Sequence, residues 1–326
     1  MISARSIAED FLATSCYFRT TVDTPYRKAL VQINEDCNLR CAHCFVSATR
    51  VGKQMPLADV VDKVIPRLAA ARVRRITLTG GEPTIHPDFM AIVRAFRDVG
   101  MDVGICTNAT NLDDQEIGEL AGLGVHCNVS LDGFAADSHG KFRGDRASFA
   151  VTVAAVEKLG AAGILQGLLC TPNSLAQNEE YAMLCAFARE NEARYVLLNP
   201  LGSMGRGVKS QGRLAKTTLH MQEIHALIAP FDGPELDIAH IRFPNTEGNR
   251  CPAARPGRSS KCSPPVRSPC ARIWSSPHEH RPPSTPTTSS SSGISSPTQT
   301  SRSAWTTIGS TTATRSARTP PAGRAR

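Results

Sequence analysis

The chain has 326 residues, with 37 Lys+Arg against 29 Asp+Glu, a formal net charge of +8, 41% apolar residues and 11 cysteines. The charge is uneven: from Cys251 onward there are 11 basic residues and one acidic residue, Glu279, a net +10, so the rest of the chain carries −2. That leaves no basic stripe interleaved with aromatics for a nucleic acid, no apolar run near the roughly 18 residues of a membrane span, and no apolar core of a secretory signal in MISARSIAEDFLATS.

A cytoplasmic address follows as an expectation, with one catalytic domain and an appendage. In a reducing compartment, cysteines serve as ligands or as small buried apolar groups, and the second role is expected for Cys16, Cys106, Cys127, Cys170 and Cys185.

From residue 28 to 230, short β-branched or apolar runs alternate with segments of helical period, which predicts parallel strands joined by crossover helices. The first strand, Lys28 to Ile33, runs into NEDCNLRCAHCFVSA, where Cys37, Cys41 and Cys44 form C-x3-C-x2-C. Three thiolates in one loop can hold three irons of a 4Fe-4S cluster and leave the fourth open. Zinc or a redox dithiol are the alternatives, although His43, set between two cysteines, suits a fourth zinc ligand poorly.

A helix over Leu57 to Ala71 leads to a strand, Arg75 to Thr79, ending in LTGGEP. Its glycines permit close backbone approach and Pro83 fixes a turn. Further strands are expected at Asp102 to Thr107, His126 to Ser130, Gly167 to Cys170 and Tyr195 to Leu198. Helices are expected at Asp88 to Val99, Asp113 to Ala121, Ala147 to Ala162, Gln177 to Asn191 and Thr217 to Ala229. Six such units predict an α/β fold, an open (β/α)6 partial TIM barrel, with function at the C-terminal strand ends. Those ends read Thr107-Asn108-Ala109, Ser130-Leu131-Asp132-Gly133 with HGKFRG after it, and Asn199-Pro200-Leu201-Gly202.

The cysteine spacing, the GGEP about forty residues later and the SLDG…H…RG stretch together resemble the radical S-adenosylmethionine (radical SAM) superfamily. The resemblance implies the same partial barrel and two cofactors, a 4Fe-4S cluster on Cys37, Cys41 and Cys44, and SAM. It implies that Gly80, Gly81 and Glu82, with Pro83, meet the methionyl amino group. Ser130 and Arg143 would hold the ribose and the carboxylate, an arginine fork being suited to a carboxylate. Asn108 stands at a strand end facing the cofactor, and Phe45 and the Asn199 to Gly202 backbone are candidates for the adenine side. The implied chemistry is reductive cleavage of SAM to a 5′-deoxyadenosyl radical that abstracts hydrogen from substrate, with electrons from a donor such as flavodoxin or ferredoxin. No general base stands out; Asp132, His139, Cys170 and His240 are candidates by position alone.

The boundaries expected are a lead segment (1–24), the barrel (25–230), the start of a SPASM-like extension (231–256) and a Ser/Thr/Pro/Arg tail (257–326). Relatives with a SPASM extension carry further cysteines for extra clusters. Cys251 stands where that extension would begin, yet Cys262 and Cys270 lack the glycine spacing, which puts a second cluster in doubt. The tail composition predicts disorder. A frameshift in a GC-rich gene also accounts for it: two bases on, codons permitted for Gly257 to Ser276 read PVVEVFAAGPVAMCPYLVV, which restores a G-x4-C.

Two substrate classes stay open, a small natural-product intermediate such as a sugar or nucleoside, and a ribosomally made peptide. The thirty-six residues before Cys37 are few for an N-terminal peptide-recognition domain, which tips the sequence reading toward the small molecule. A non-catalytic iron–sulfur protein is the reading from another class. GGEP and the Ser130 to Arg143 stretch speak against it, since a metal module without SAM would not use them.

Overall fold

The computed structural model describes residues 25–240. The expectations for residues 1–24, for Cys16 and Cys251, and for the tail from 257 lie outside the described residues. Seven strands form one wholly parallel sheet in chain order. They are β1 (Arg27–Gln32), β2 (Val73–Thr79), β3 (Asp102–Thr107), β4 (His126–Ser130), β5 (Leu165–Cys170), β6 (Tyr195–Leu198) and β7 (Asp237–His240).

Helices fill the crossovers: α1 (Leu57–Asp59), passing through the π-helical Val60–Val64 into α2 (Ile65–Ala70), then α3 (Phe89–Asp98) and α4 (Asp114–Gly122). After them come α5 (Lys141–Arg143), α6 (Ser148–Ala161), α7 (Glu179–Glu190), α8 (Gly207–Leu214) and α9 (Thr218–Ile228). The predicted α/β partial barrel is what forms. It has one strand more than the six foreseen, β7, which pairs with β6 over four residues. The eight-residue α8, which carries two glycines, was not foreseen either.

Local chemistry sets the element ends. Asp113 accepts from the Glu116 amide at 2.8 Å while the Glu116 carboxylate accepts from the Asp113 amide at 3.2 Å, a reciprocal cap that starts α4. Beyond α4, Gly124 sits at φ +64°, the left-handed stop that a side chain resists.

Alternate residues of each strand face the helices. Ile76, Leu78, Val103, Ile105, Val129, Leu168, Val196 and Ile238 pack there with Leu68, Ile92, Phe96, Leu120 and Leu184. Burying such a side chain fully is worth about 1.5–3 kcal/mol, so this layer supplies most of the barrel's stability. The opposite strand faces bear a smaller cluster, Leu169, Tyr195, Leu197 and Ala239, with Cys106 against it. A Cβ on Gly167 would stand 2.7 Å from the Tyr195 ring, so this glycine makes room for the phenol, whose hydroxyl bonds Asn128. Cys127, Cys170 and Cys185 are buried as expected, and Cys106 half so.

Candidate functional site

The loop between β1 and α1 is closed across its base before it reaches the cysteines. Asn34 bridges to Gln54 and Asp36 to Thr49, the Cys37 amide donates to the Thr49 carbonyl at 2.8 Å, and Gln54 Nε2 donates to Asp36 Oδ2 at 2.9 Å. The lobe beyond is held from two other strand ends. Arg40 and Ala42 amides donate to the Arg143 and Phe142 carbonyls at 3.2 and 2.8 Å. From after β6, Arg206 Nε donates to the Cys41 carbonyl at 2.8 Å and its Nη1 to the Ala48 carbonyl at 2.5 Å. Ser210 of α8 donates to the Ala42 carbonyl at 2.8 Å. Gly205 sits at φ +54° under this lobe, where a Cβ would meet the Cys44 carbonyl oxygen at 2.3 Å.

Cys37, Cys41 and Cys44 gather with Leu39 and Ala48 in one small cluster. Burial pushes the Cys37 thiol up to about 12, with Cys41 and Cys44 among the neighbours that raise it further. Burial also raises Cys41, against the Arg143 cation that lowers it. Buried thiols such as Cys37 and Cys41, whose ionisation is opposed, need a cationic centre to bind as thiolates, which is the fit a cluster of irons requires. Among the described residues no three His, Cys, Asp or Glu are arranged to hold a metal ion. A cubane places its ligands on three separate irons, so its sulfurs have no need to converge on one point. His43 stacks flat on Phe142, with ring centroids 4.5 Å apart.

The GGEP segment lies against this loop. Gly81 and Glu82 amides donate to the Asn34 and Asp36 carbonyls at 3.1 and 2.9 Å. A Cβ on Gly80 would fall 1.9 Å from Asn34 Oδ1, and one on Gly81 2.1 Å from the Asp36 carbonyl oxygen. These glycines therefore let the β2 end cross the cysteine loop, a close approach between two chain segments. Asn34 Oδ1 and Asp36 Oδ1 are buried there without a hydrogen-bond donor among the described residues, which suits a ligand that brings N–H groups.

Glu82 does not face outward. Its carboxylate accepts from Thr84 N (3.2 Å), Thr84 Oγ1 (2.8 Å), Thr107 Oγ1 (2.6 Å) and Asn108 N (2.7 Å), bolting β2 to β3. Its desolvation outweighs these donors and raises its pKa. Pro83 opens the short turn Pro83–Ile85 that Glu82 caps. Asn108 reaches toward the cysteine loop, with Nδ2 2.9 Å from Asn38 Oδ1 and 4.0 Å from Cys37 Sγ.

At the β4 end, Ser130 is half-buried and its hydroxyl has no hydrogen-bond partner among the described residues, so it is available to a ligand. Arg143 is engaged by protein groups that the sequence did not foresee: Nε donates to Asp132 Oδ2 at 2.5 Å and Nη1 points to Cys41 Sγ at 3.7 Å. Burial acts to raise the Asp132 carboxyl, but the Arg143 cation, joined by His43 and His139, holds it below its ordinary value. The Asp132 backbone is fixed as well, since its amide donates to His139 Nδ1 at 3.0 Å. Phe45, 43% exposed, stands on the rim next to Cys44. The Asn199 amide donates to the Cys170 carbonyl at 2.7 Å, tying β6 to β5. Arg206, Ser210 and Asn34 are the residues that sequence reasoning missed; Gly205-Arg206, past a strand end, was the available signal.

Residues 31–182 match the model of the radical SAM superfamily. An AdoMet-dependent heme synthase of Methanosarcina barkeri is 34% identical over 130 residues, 39% of this chain and 37% of that protein. The mycofactocin maturase MftC of Mycobacterium ulcerans is 31% identical over 159 residues, 45% of this chain and 41% of that one. The PqqA peptide cyclase of Bradyrhizobium diazoefficiens is 34% identical over 107 residues, 32% and 28% of the two chains. The chain thus spans less than half the length of these relatives. Streptococcus suis SuiB, in a crystal structure with S-adenosylmethionine, superimposes with a TM-score of 0.53 at 16% identity, covering 65% of this chain and 49% of that one, a likeness of fold.

Proposed function

The chain carries a radical SAM superfamily domain over residues 31–182, whose cofactors are a 4Fe-4S cluster and S-adenosylmethionine, and from that premise we propose that it is an enzyme modifying a ribosomally made peptide. The observation that carries the cofactor chemistry is the gathering of three cysteine thiols in the loop that the GGEP segment crosses. When bound, the cluster and SAM together supply reductive cleavage of SAM and a hydrogen-abstracting radical.

Within this proposal each residue has a task. Cys37, Cys41 and Cys44 hold three irons. Gly80, Gly81 and Glu82 present backbone to the amino end of SAM while the Glu82 side chain keeps the two strand ends rigid. Ser130 offers a hydroxyl to the ribose, and the guanidinium edge of Arg143 left by Asp132 and Cys41 meets the carboxylate. Asn108 orders the loop beside Cys37, and Phe45 shields the adenine side from water. An electron donor such as flavodoxin or ferredoxin completes the cycle. No helix among the described residues is long and apolar enough to cross a membrane. The seven cysteines described are free thiols, which supports a cytoplasmic address.

The sequence alone tipped the balance toward a small natural product. The functions of these relatives support the peptide reading instead, through a peptide cyclase and a maturase. The small-molecule reading is kept alive by one of them, the heme synthase.

Anaerobically reconstituted, dithionite-reduced protein should form 5′-deoxyadenosine from SAM, and Cys44→Ala protein should not. Peptides encoded beside the gene, added to the same mixture, should change mass in a SAM-dependent way. Equal 5′-deoxyadenosine from both proteins would overturn the cluster assignment. A mass change confined to small metabolites would replace the peptide reading with the other.

A further inference from the structure

Every sulfur of the cysteine lobe receives an N–H donor, and the donors differ in charge. Cys37 Sγ accepts from the Leu39 amide at 3.4 Å and Cys44 Sγ from the Ala48 amide at 3.3 Å, both neutral; Asn108 Nδ2, at 4.0 Å from Cys37, is neutral as well. Cys41 Sγ faces a cation, Arg143 Nη1 at 3.7 Å.

That cation is held in place from behind. Arg143 is 8% exposed and Asp132 0%, and they meet through Nε and Oδ2 at 2.5 Å, which leaves Nη1 to the sulfur. Asp132 is in turn fixed from the β5 end, where the Thr171 amide donates to Oδ1 at 2.7 Å and Asn173 Nδ2 to its carbonyl at 2.8 Å. A buried aspartate thus aims a guanidinium at one ligand of three.

We infer that Arg143, aimed by Asp132, raises the reduction potential of a cluster bound at Cys41 and so acts as a positioning residue for electron transfer into the site. This rests on the reading above that Cys37, Cys41 and Cys44 carry the cluster. One-electron reduction by an external reductant adds one negative charge to the cluster and changes no bond. A cationic N–H donor on a coordinating sulfur stabilises that added charge, and hydrogen bonds to the sulfurs are among the factors that set iron–sulfur potentials. Burial strengthens the interaction, since little water intervenes.

The test is a mediated redox titration of the full chain, anaerobically reconstituted and free of SAM, with dithionite as reductant and the reduced cluster read by EPR. At a fixed applied potential, Arg143→Gln should lower the ratio of reduced to oxidised cluster at least tenfold, about 59 mV for a one-electron couple. Arg143→Lys, which keeps the charge without the fork, should fall between. Because Arg143→Gln leaves Asp132 buried and unpaired and can fail to fold, the wild type is also grown with arginine labelled with 15N in its guanidinium group. Pulsed EPR of its reduced cluster should show a 15N coupling that Arg143→Lys removes. Equal ratios at equal iron content, or no 15N coupling in fully loaded wild type, would overturn the inference. Wild type that assembles no cluster at all would instead overturn the reading on which it rests.

Discussion

Arg206 and Cys41, 165 positions apart in the chain, are joined by a 2.8 Å hydrogen bond from the arginine Nε to the cysteine carbonyl. The same guanidinium reaches the Ala48 carbonyl, so one side chain from beyond β6 grips both sides of the lobe that holds the cysteines. Bonds from a charged donor are worth about 1.5–3 kcal/mol each, and less where the donor is half-buried, as Arg206 is. We expect Arg206→Ala to cost about 2 kcal/mol in urea unfolding and to speed iron loss to a chelator several-fold. Iron release at the wild-type rate would show that the grip does not govern retention.

A second expectation concerns Gly81. A Cβ at this position would meet not the end of a flexible side chain but the Asp36 carbonyl oxygen at 2.1 Å, so Gly81→Ala must push two backbones apart. Overpacking of this kind costs about 1–3 kcal/mol. Because Asp36 immediately precedes Cys37, the displaced backbone should also lower the iron bound per chain after reconstitution. Full iron content with unchanged urea midpoint would mean that the two segments separate at no cost.

For Glu82 the outcome depends on which atom is removed. Glu82→Ala strips the acceptor from Thr107, Thr84 and the Asn108 amide at once, and unsatisfied buried donors cost about 1–3 kcal/mol each. Glu82→Gln keeps one acceptor oxygen, which in the Oε1 place still serves both threonine hydroxyls and the Thr84 amide and leaves only the Asn108 amide facing a donor. We expect a loss of at least about 3 kcal/mol for the alanine variant and less than half of that for the glutamine. Similar urea midpoints for the two variants would show that the carboxylate is not the joint between β2 and β3.

The strands and their polar ends were legible in the sequence because a parallel sheet buried on the helix side needs short β-branched runs, and because the cysteine spacing and GGEP are local. What was not legible depends on tertiary meeting. Gly80 and Gly81 read as openings toward a ligand, but the neighbour that requires them is Asn34 to Asp36, brought over by β1 and β2 pairing. Arg143 read as a fork for a carboxylate; that the nearest carboxylate is Asp132 follows from how the chain folds back between β4 and α6. Arg206 carries no periodic signal, and its place after Gly205 past a strand end does not tell which groups it grips. Its role exists only because α8 packs on the cysteine lobe, a contact between residues far apart in the chain.

The last expectation concerns pH and falls on His139, 1% exposed, whose Nδ1 accepts from the Asp132 amide and whose Nε2 is buried without a partner among the described residues. Burial, followed by the nearby Arg143 cation, lowers its pKa to about 3, with Asp132 acting in the opposite sense. The folded state then binds fewer protons on this ring than the unfolded chain, where an imidazole titrates near 6.5. Its contribution to stability is therefore complete above about pH 6.5 and is lost as the pH falls toward about 3, by up to about 1.4 kcal/mol for each pH unit. His43 and His126 are lowered by burial as well, so the wild-type slope alone does not isolate one ring. The comparison that does is His139→Gln, whose side-chain oxygen can still accept from the Asp132 amide without taking up a proton. Between pH 6.5 and 5, the urea midpoint of the wild type should fall more steeply than that of His139→Gln; parallel slopes would mean that this ring titrates alike in the folded and unfolded chains.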